Sequence, residues 1–242
     1  MKIAAIQFKS ISGDINTNIS KHIDFIKIAV NAGANLVYFP ELSITGYEPK
    51  QAKELALNLE SNIFNAFQNL SDIHNVTIGI GAPLLFQKQV QIGMLWFRKN
   101  EQRVTYTKQH LHTDELPYFV AGETQLIIHQ LHQHIAPAIC YESLLSSHSD
   151  NAVNLGSNIY LASVAKSSNG IIKATQHYPE IARKHHIHVV MANSLGQCDD
   201  FQSVGHSAAW DVHGNLLGEM DDISEGILLV DIENSSALVI KQ

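Results

Sequence analysis

The sequence predicts an α/β layered sandwich in one domain spanning residues 1–242. Two observations carry that expectation. Apolar runs of strand length recur along the chain and are separated by two groups of amphipathic helical stretches. No linker, composition break or internal period divides the chain, and its length suffices to bury a substantial core.

Residues 2–8 alternate as a strand, and the turn at Gly13-Asp14 opens a helix that runs to about Ala32, with Gly33 as its stop. Ile19, Ile23, Ile26 and Val30 recur at helical spacing and mark its core face. Residues 36–40 are a second strand, which completes a β-α-β beginning. A second helical region is expected over residues 50–74, where Leu55, Leu59, Ile63 and Phe67 keep step. Strands are expected at 76–82, 91–97, 102–107, 126–129 and 135–140, then a helix at 144–153. A strand at 158–164, a helix at 171–185 and a strand at 187–192 follow. Residues 206–232 read as short strands around the turns His213-Gly214-Asn215 and 221–226.

Composition removes whole classes of function. The net charge of −7 comes without any Lys/Arg cluster to replace phosphate counterions, so no nucleic-acid partner is expected. No window approaches the ~20 apolar residues of a membrane span, and the first apolar run is too short for a signal peptide. Two cysteines make no disulfide framework, and the default location is the cytoplasm. The pairs and triples among the 14 histidines lack zinc-site spacing, so no metal and no cofactor are expected.

Three strands end in reactive groups. The run Leu36-Val37-Tyr38-Phe39-Pro40 delivers Glu41, the strand at 104–107 ends on Lys108, and Ile135-Ala136-Pro137-Ala138-Ile139 ends on Cys140. A free thiol has a pKa near ~8.5, so it needs an activating neighbour at neutral pH. A carboxylate in a poorly solvated site has the raised pKa that lets it take a proton, and Glu41 fits that description. A lysine beside them balances charge and faces the oxyanion of a tetrahedral intermediate. The backbone N–H of Tyr141, one residue past the thiol, is placed to be a second donor. Cys198 has no such companions and reads as an incidental loop thiol.

The segments FPELSITGY, YTKQHL and AICYE resemble, in that order, the three signature segments of the nitrilase superfamily, the carbon–nitrogen hydrolases. The similarity runs from the initial AAIQF through GDINTN to VVMANSLG and GHSAAWDVHGN. It implies a four-layer αββα sandwich and a Glu-Lys-Cys triad at Glu41, Lys108 and Cys140, with Glu115 as the second glutamate of the loop after the lysine. The implied substrate is a small non-peptide amide, opened through a cysteine thioester. Nitrile or N-carbamoyl hydrolysis, acyl transfer to an amine, and a binding protein without turnover are the alternatives. Absence of a membrane span or a second domain in the 242 residues argues here against the acyltransferase and synthetase-fused branches. The resemblance also implies a homodimer.

Four further residues are candidates for the substrate pocket: Tyr47, Tyr118, Glu142 and Lys166. Glu142 alternatively caps the following helix or pairs with a base. Many relatives follow the thiol with an aspartate, an arginine and a Phe-Pro-Glu run, but this chain reads CYESLLSSHSD. The missing arginine weakens an N-carbamoyl amino acid substrate, and Lys166 is the candidate replacement cation.

Overall fold

A computed structural model describes residues 1–242. In chain order the elements are β1 (Lys2–Gln7), α1 (Ile15–Asn31), β2 (Leu36–Tyr38), α2 (Ala52–Leu55), α3 (Asn65–His74), β3 (Thr77–Phe86), β4 (Gln89–Phe97) and β5 (Val104–Thr107). There follow β6 (Ile128–Gln130), β7 (Gln133–Ile139), α4 (Ser146–Asn154), β8 (Ile159–Val164), α5 (Ser168–His185), β9 (His188–Asn193), β10 (Leu195–Cys198) and β11 (Phe201–Val204). The chain closes with β12 (Ala208–Trp210), β13 (Leu216–Glu219), β14 (Gly226–Asp231) and β15 (Ser236–Lys241).

Two sheets form the middle of the molecule. One has the order β15-β14-β1-β2-β3-β4-β5 and the other β13-β12-β9-β8-β7-β6, with β10 and β11 as a separate hairpin. Strand periodicity sorts side chains between layers. Along β1, Ile3 and Ala5 join Leu36, Trp96, Ile135 and Leu161 in the core between the sheets. Their neighbours Ala4 and Ile6 join Phe25, Ile26 and Phe67 beneath α1 and α3. Ala136, Ala138 and Tyr160 pack instead on Ala152 of α4 and on Ala174 and Tyr178 of α5. The layer order is therefore αββα. The Tyr38 hydroxyl donates to the Val190 carbonyl at 2.8 Å and the Ser163 hydroxyl to the Phe39 carbonyl at 2.9 Å, so both bonds cross between the sheets.

Two expectations are corrected. The helix expected over residues 50–74 is two short helices with an extended segment between them. Asn58 accepts the Glu60 N–H on its side chain and the Ser61 N–H on its carbonyl, a local alternative to helix bonding. Leu57 meanwhile exchanges backbone bonds with Pro83 and Leu85 of β3. The buried face of α1 is centred on Asn18, His22, Phe25, Ile26 and Ala29, and Ile23 lies at its margin. The sequence pattern missed two inward polar residues, both satisfied by the loop after β2. Asn18 donates to the Ile44 carbonyl at 3.0 Å, and His22 Nε2 lies 2.9 Å from the Ser43 hydroxyl.

Candidate active site

Glu41, Lys108, Cys140 and Lys166 each sit one to three residues past the carboxyl end of a strand: β2, β5, β7 and β8 respectively. The first two strands belong to one sheet and the other two to its partner, so the site lies where the sheets' carboxyl ends meet. The turn carrying Glu41 touches β3 so closely that a Cβ at Gly81 would stand 2.4 Å from the Pro40 carbonyl oxygen and 2.6 Å from the Leu42 nitrogen. Only glycine admits that approach.

Lys108 is fully buried and its ammonium is shared. Nζ donates to Glu41 Oε1 at 2.8 Å and to Glu115 Oε1 at 2.6 Å. Glu115 also accepts from the Tyr47 hydroxyl at 3.0 Å and, on Oε2, from the His112 N–H at 2.8 Å, which fills both its oxygens. Glu41 differs. Its Oε2 is buried and has no hydrogen-bond partner in the protein.

Burial raises the Glu41 carboxyl to about 7, against the pull of Lys108 and with the push of Glu115. Burial opposes the charge on Lys108, but Glu41, Cys140 and Glu115 outweigh it and hold the ammonium above its ordinary value. Burial and the Glu41 carboxylate push the Cys140 thiol up to about 12, while Lys166 and Lys108 pull it down. Near neutral pH the site thus holds a thiol beside a carboxyl group that exchanges its proton in that range, as a general base must.

Cys140 opens the 3-10 turn Cys140–Leu144 in a left-handed conformation, φ +44°. For a residue with a Cβ that is a costly backbone state, of a kind concentrated at functional sites. The sulfur lies 3.6 Å from the Ala165 carbonyl. Tyr141 follows at the start of the turn, where a backbone N–H has no intrahelical acceptor.

A cavity of about 410 Å³ opens over Cys140, and Tyr47, Glu115, Tyr141 and Lys166 help line it. Two other candidates lie elsewhere. Tyr118 sits in a separate groove with Pro49, Leu116 and Phe119. Glu142 is fully buried outside the cavity. It accepts from the Tyr106 hydroxyl (2.6 Å) and from the N–H groups of Ile139 (2.8 Å), Gln109 (2.7 Å) and His110 (3.1 Å), which ties the segment after Lys108 to the end of β7. It is a brace between the two strand ends, and the helix that follows, α4, has no side-chain cap.

Cys198 is not a loop thiol. It ends β10, is 4% exposed, and burial pushes its thiol up to about 11. The sequence reading also passed over Asp114, Ser167, Gly170, Lys173 and Phe201, which line the cavity as well. Asp114 and Ser167 lie on loops, Gly170 and Lys173 on the first turns of α5 and Phe201 at the start of β11, where no periodic pattern marks an inward face. No three His, Cys, Asp or Glu side chains are gathered as a metal-ligand set, and no helix is long and apolar enough to cross a membrane.

The fold is thus a four-layer αββα sandwich with Glu, Lys and Cys side chains gathered where the carboxyl ends of its two sheets meet. The profile of the Carbon-nitrogen hydrolase family matches residues 2–241. The chain belongs to that family, within the nitrilase superfamily.

Among curated relatives, the glutamine-dependent NAD(+) synthetase of Acinetobacter baylyi is 28% identical over 222 residues, which cover 85% of this chain and 39% of that protein. The synthetase of the same name from Thermotoga maritima is 22% identical, with 96% and 42% covered. The chain thus spans about two fifths of the length of these two relatives. A hydrolase in the agr operon of Staphylococcus aureus is 25% identical and matches end to end, with 96% of this chain and 91% of the relative covered. Among solved structures, the amidase from Nesterenkonia sp. AN1 superposes with a TM-score of 0.87 at 22% identity, covering 96% of this chain and 92% of that one.

Proposed function

We propose that this chain hydrolyses a small non-peptide amide through a covalent thioester on Cys140. The observation that carries the reading is the buried Glu41–Lys108–Glu115 cluster at the foot of a cavity whose wall includes the thiol, with one Glu41 oxygen left unpaired.

In this reading the thiol proton passes to Glu41 as the sulfur attacks the amide carbon. Two of the three Lys108 donors are taken by carboxylates, and the third, with the Tyr141 N–H, holds the oxyanion. Collapse expels the amine, which leaves as ammonia after receiving the proton from Glu41. A water then attacks the thioester and gives its proton to the same carboxylate. Collapse returns that proton to the departing sulfur and frees the acid. Glu115 fixes the Lys108 ammonium and, through Tyr47, one side of the cavity.

A panel of aliphatic amides, nitriles and N-carbamoyl compounds, scored by ammonia release from pure protein, tests this. Loss of release in Cys140→Ala, Glu41→Gln and Lys108→Ala is expected, and activity that survives Cys140→Ala refutes the reading. Hydroxamate formation on adding hydroxylamine marks acyl transfer. A second reading, the side-chain amide of glutamine as ammonia source, is favoured by the two synthetase relatives. We further propose a cytoplasmic homodimer, which a monomer mass at micromolar concentration would contradict.

A further inference from the structure

Lys166 is 4% exposed, and burial lowers its pKa against the opposing pull of Cys140 and Glu41. It has no carboxylate or carbonyl partner, yet it lines the cavity over Cys140. A buried ammonium without a partner costs free energy, so such a group is a candidate for function.

The backbone under it is fixed from both sides. Its N–H donates to Asn193 Oδ1 at 2.8 Å, and its carbonyl accepts from Asn193 Nδ2 (3.3 Å), the Ser203 hydroxyl (3.1 Å) and the Val204 N–H (3.2 Å). The side-chain stem lies over Gly170, where an added Cβ would be 3.0 Å from Lys166 Cβ and 3.4 Å from its Cγ. Rigid support at both the backbone and the stem holds the charge where it is.

The surroundings are matched to an anion. Ser167, the N-cap of the 18-residue helix α5, makes no side-chain capping bond, and both Ser167 and Gly170 line the cavity, so the helix begins at its wall. Helix N-termini present unsatisfied N–H groups and partial positive charge. Lys173, also on the wall, adds a second ammonium whose charge is felt at Lys166. The cavity's two carboxylates are already engaged, Asp114 by the His112 ring and Glu115 by Lys108 and Tyr47. Lys166 and Lys173, by contrast, line the cavity with no carboxylate bound to either ammonium.

We propose that Lys166, supported by the start of α5 and by Lys173, is a carboxylate subsite, and that the substrate is an amide whose acyl chain carries a carboxylate at its far end. This rests on the amidase reading and names the substrate class for it.

Two measurements separate the subsite from that reading. The first compares succinamate and glutaramate with their uncharged isosteres 4-methylpentanamide and 5-methylhexanamide. Wild type should favour the carboxylates in kcat/KM, and Lys166→Met should cut that preference by about 10- to 100-fold, mainly through KM, as expected for a charge-assisted hydrogen bond. Lys166→Arg should retain most of it, and Lys173→Met should lose less. An equal loss on charged and uncharged amides would overturn the proposal, because it would place the ammonium in the service of the Cys140 sulfur instead.

The second measurement is calorimetric binding of succinate, which cannot be turned over. Wild type should bind it and Lys166→Met should bind it at least tenfold more weakly. Succinate binding without turnover of any amide would retain the subsite and refute the amidase reading. Turnover of uncharged amides without succinate binding or carboxylate preference would do the reverse.

Discussion

Lys108 and Lys166 are both buried lysines beside Cys140, and their surroundings drive them in opposite directions. Lys108 holds two carboxylates, and their attraction exceeds the burial penalty. Lys166 holds none, and burial lowers its pKa. One ammonium is part of the finished protein, whereas the other is complete only when an anion arrives. The same residue type at one site thus divides into a charge paired within the protein and a charge left for a ligand, according to its partners alone.

Replacing the first should produce the largest effects. Lys108→Met leaves Glu41 and Glu115 buried side by side without their cation. It should cost about 3–5 kcal/mol in urea unfolding and at least about 10²–10³-fold in turnover, the value of one oxyanion donor. Unchanged stability would show that the three charges are not one unit.

Lys166→Met should do the opposite to stability. Removing an uncompensated buried charge should raise the urea midpoint at neutral pH. The sign with pH follows from linkage. Because folding lowers the Lys166 pKa, the unfolded chain binds more protons as pH approaches the ordinary lysine value of 10.5. Wild-type stability should therefore gain on that of the variant as pH rises through this window. A constant difference would mean that the ammonium is not penalised.

The pH profile sharpens the contrast at smaller amplitude. Activity should rise with pH through about 7 as Glu41 loses its proton. Without Lys108 that limb should move to higher pH, since the ammonium is what pulls the carboxyl down. Lys166→Met should move it less. The smallest contrast is between the two thiols: iodoacetamide should label Cys140, which faces the cavity, faster than Cys198, which is buried in β10.

Much of this was legible in the sequence because strands ending in Glu41, Lys108 and Cys140 are short apolar runs bounded by turn residues, and their flanking segments carry the family resemblance. The layered α/β architecture followed from the same runs. What stayed hidden was tertiary. His22 and Asn18 face inward on α1 because the loop after Glu41 offers them partners 21 and 26 residues away, and no periodic apolar pattern encodes that. Tyr118 lies only three residues from Glu115, yet the turn between them sends it to another groove. Lys166 could be named as a cation but not as a buried one, because its burial depends on β11, Asn193 and the start of α5.

The most direct test is peptide mass analysis of the protein quenched in acid during turnover of an amide. A mass increase equal to the acyl group, confined to the peptide containing Cys140 and absent in Cys140→Ala, is the expected result. Acyl mass on any other residue, or steady ammonia release with no adduct in a protein whose residue 140 is alanine, would contradict the assignment of the thiol at the cavity floor as the nucleophile.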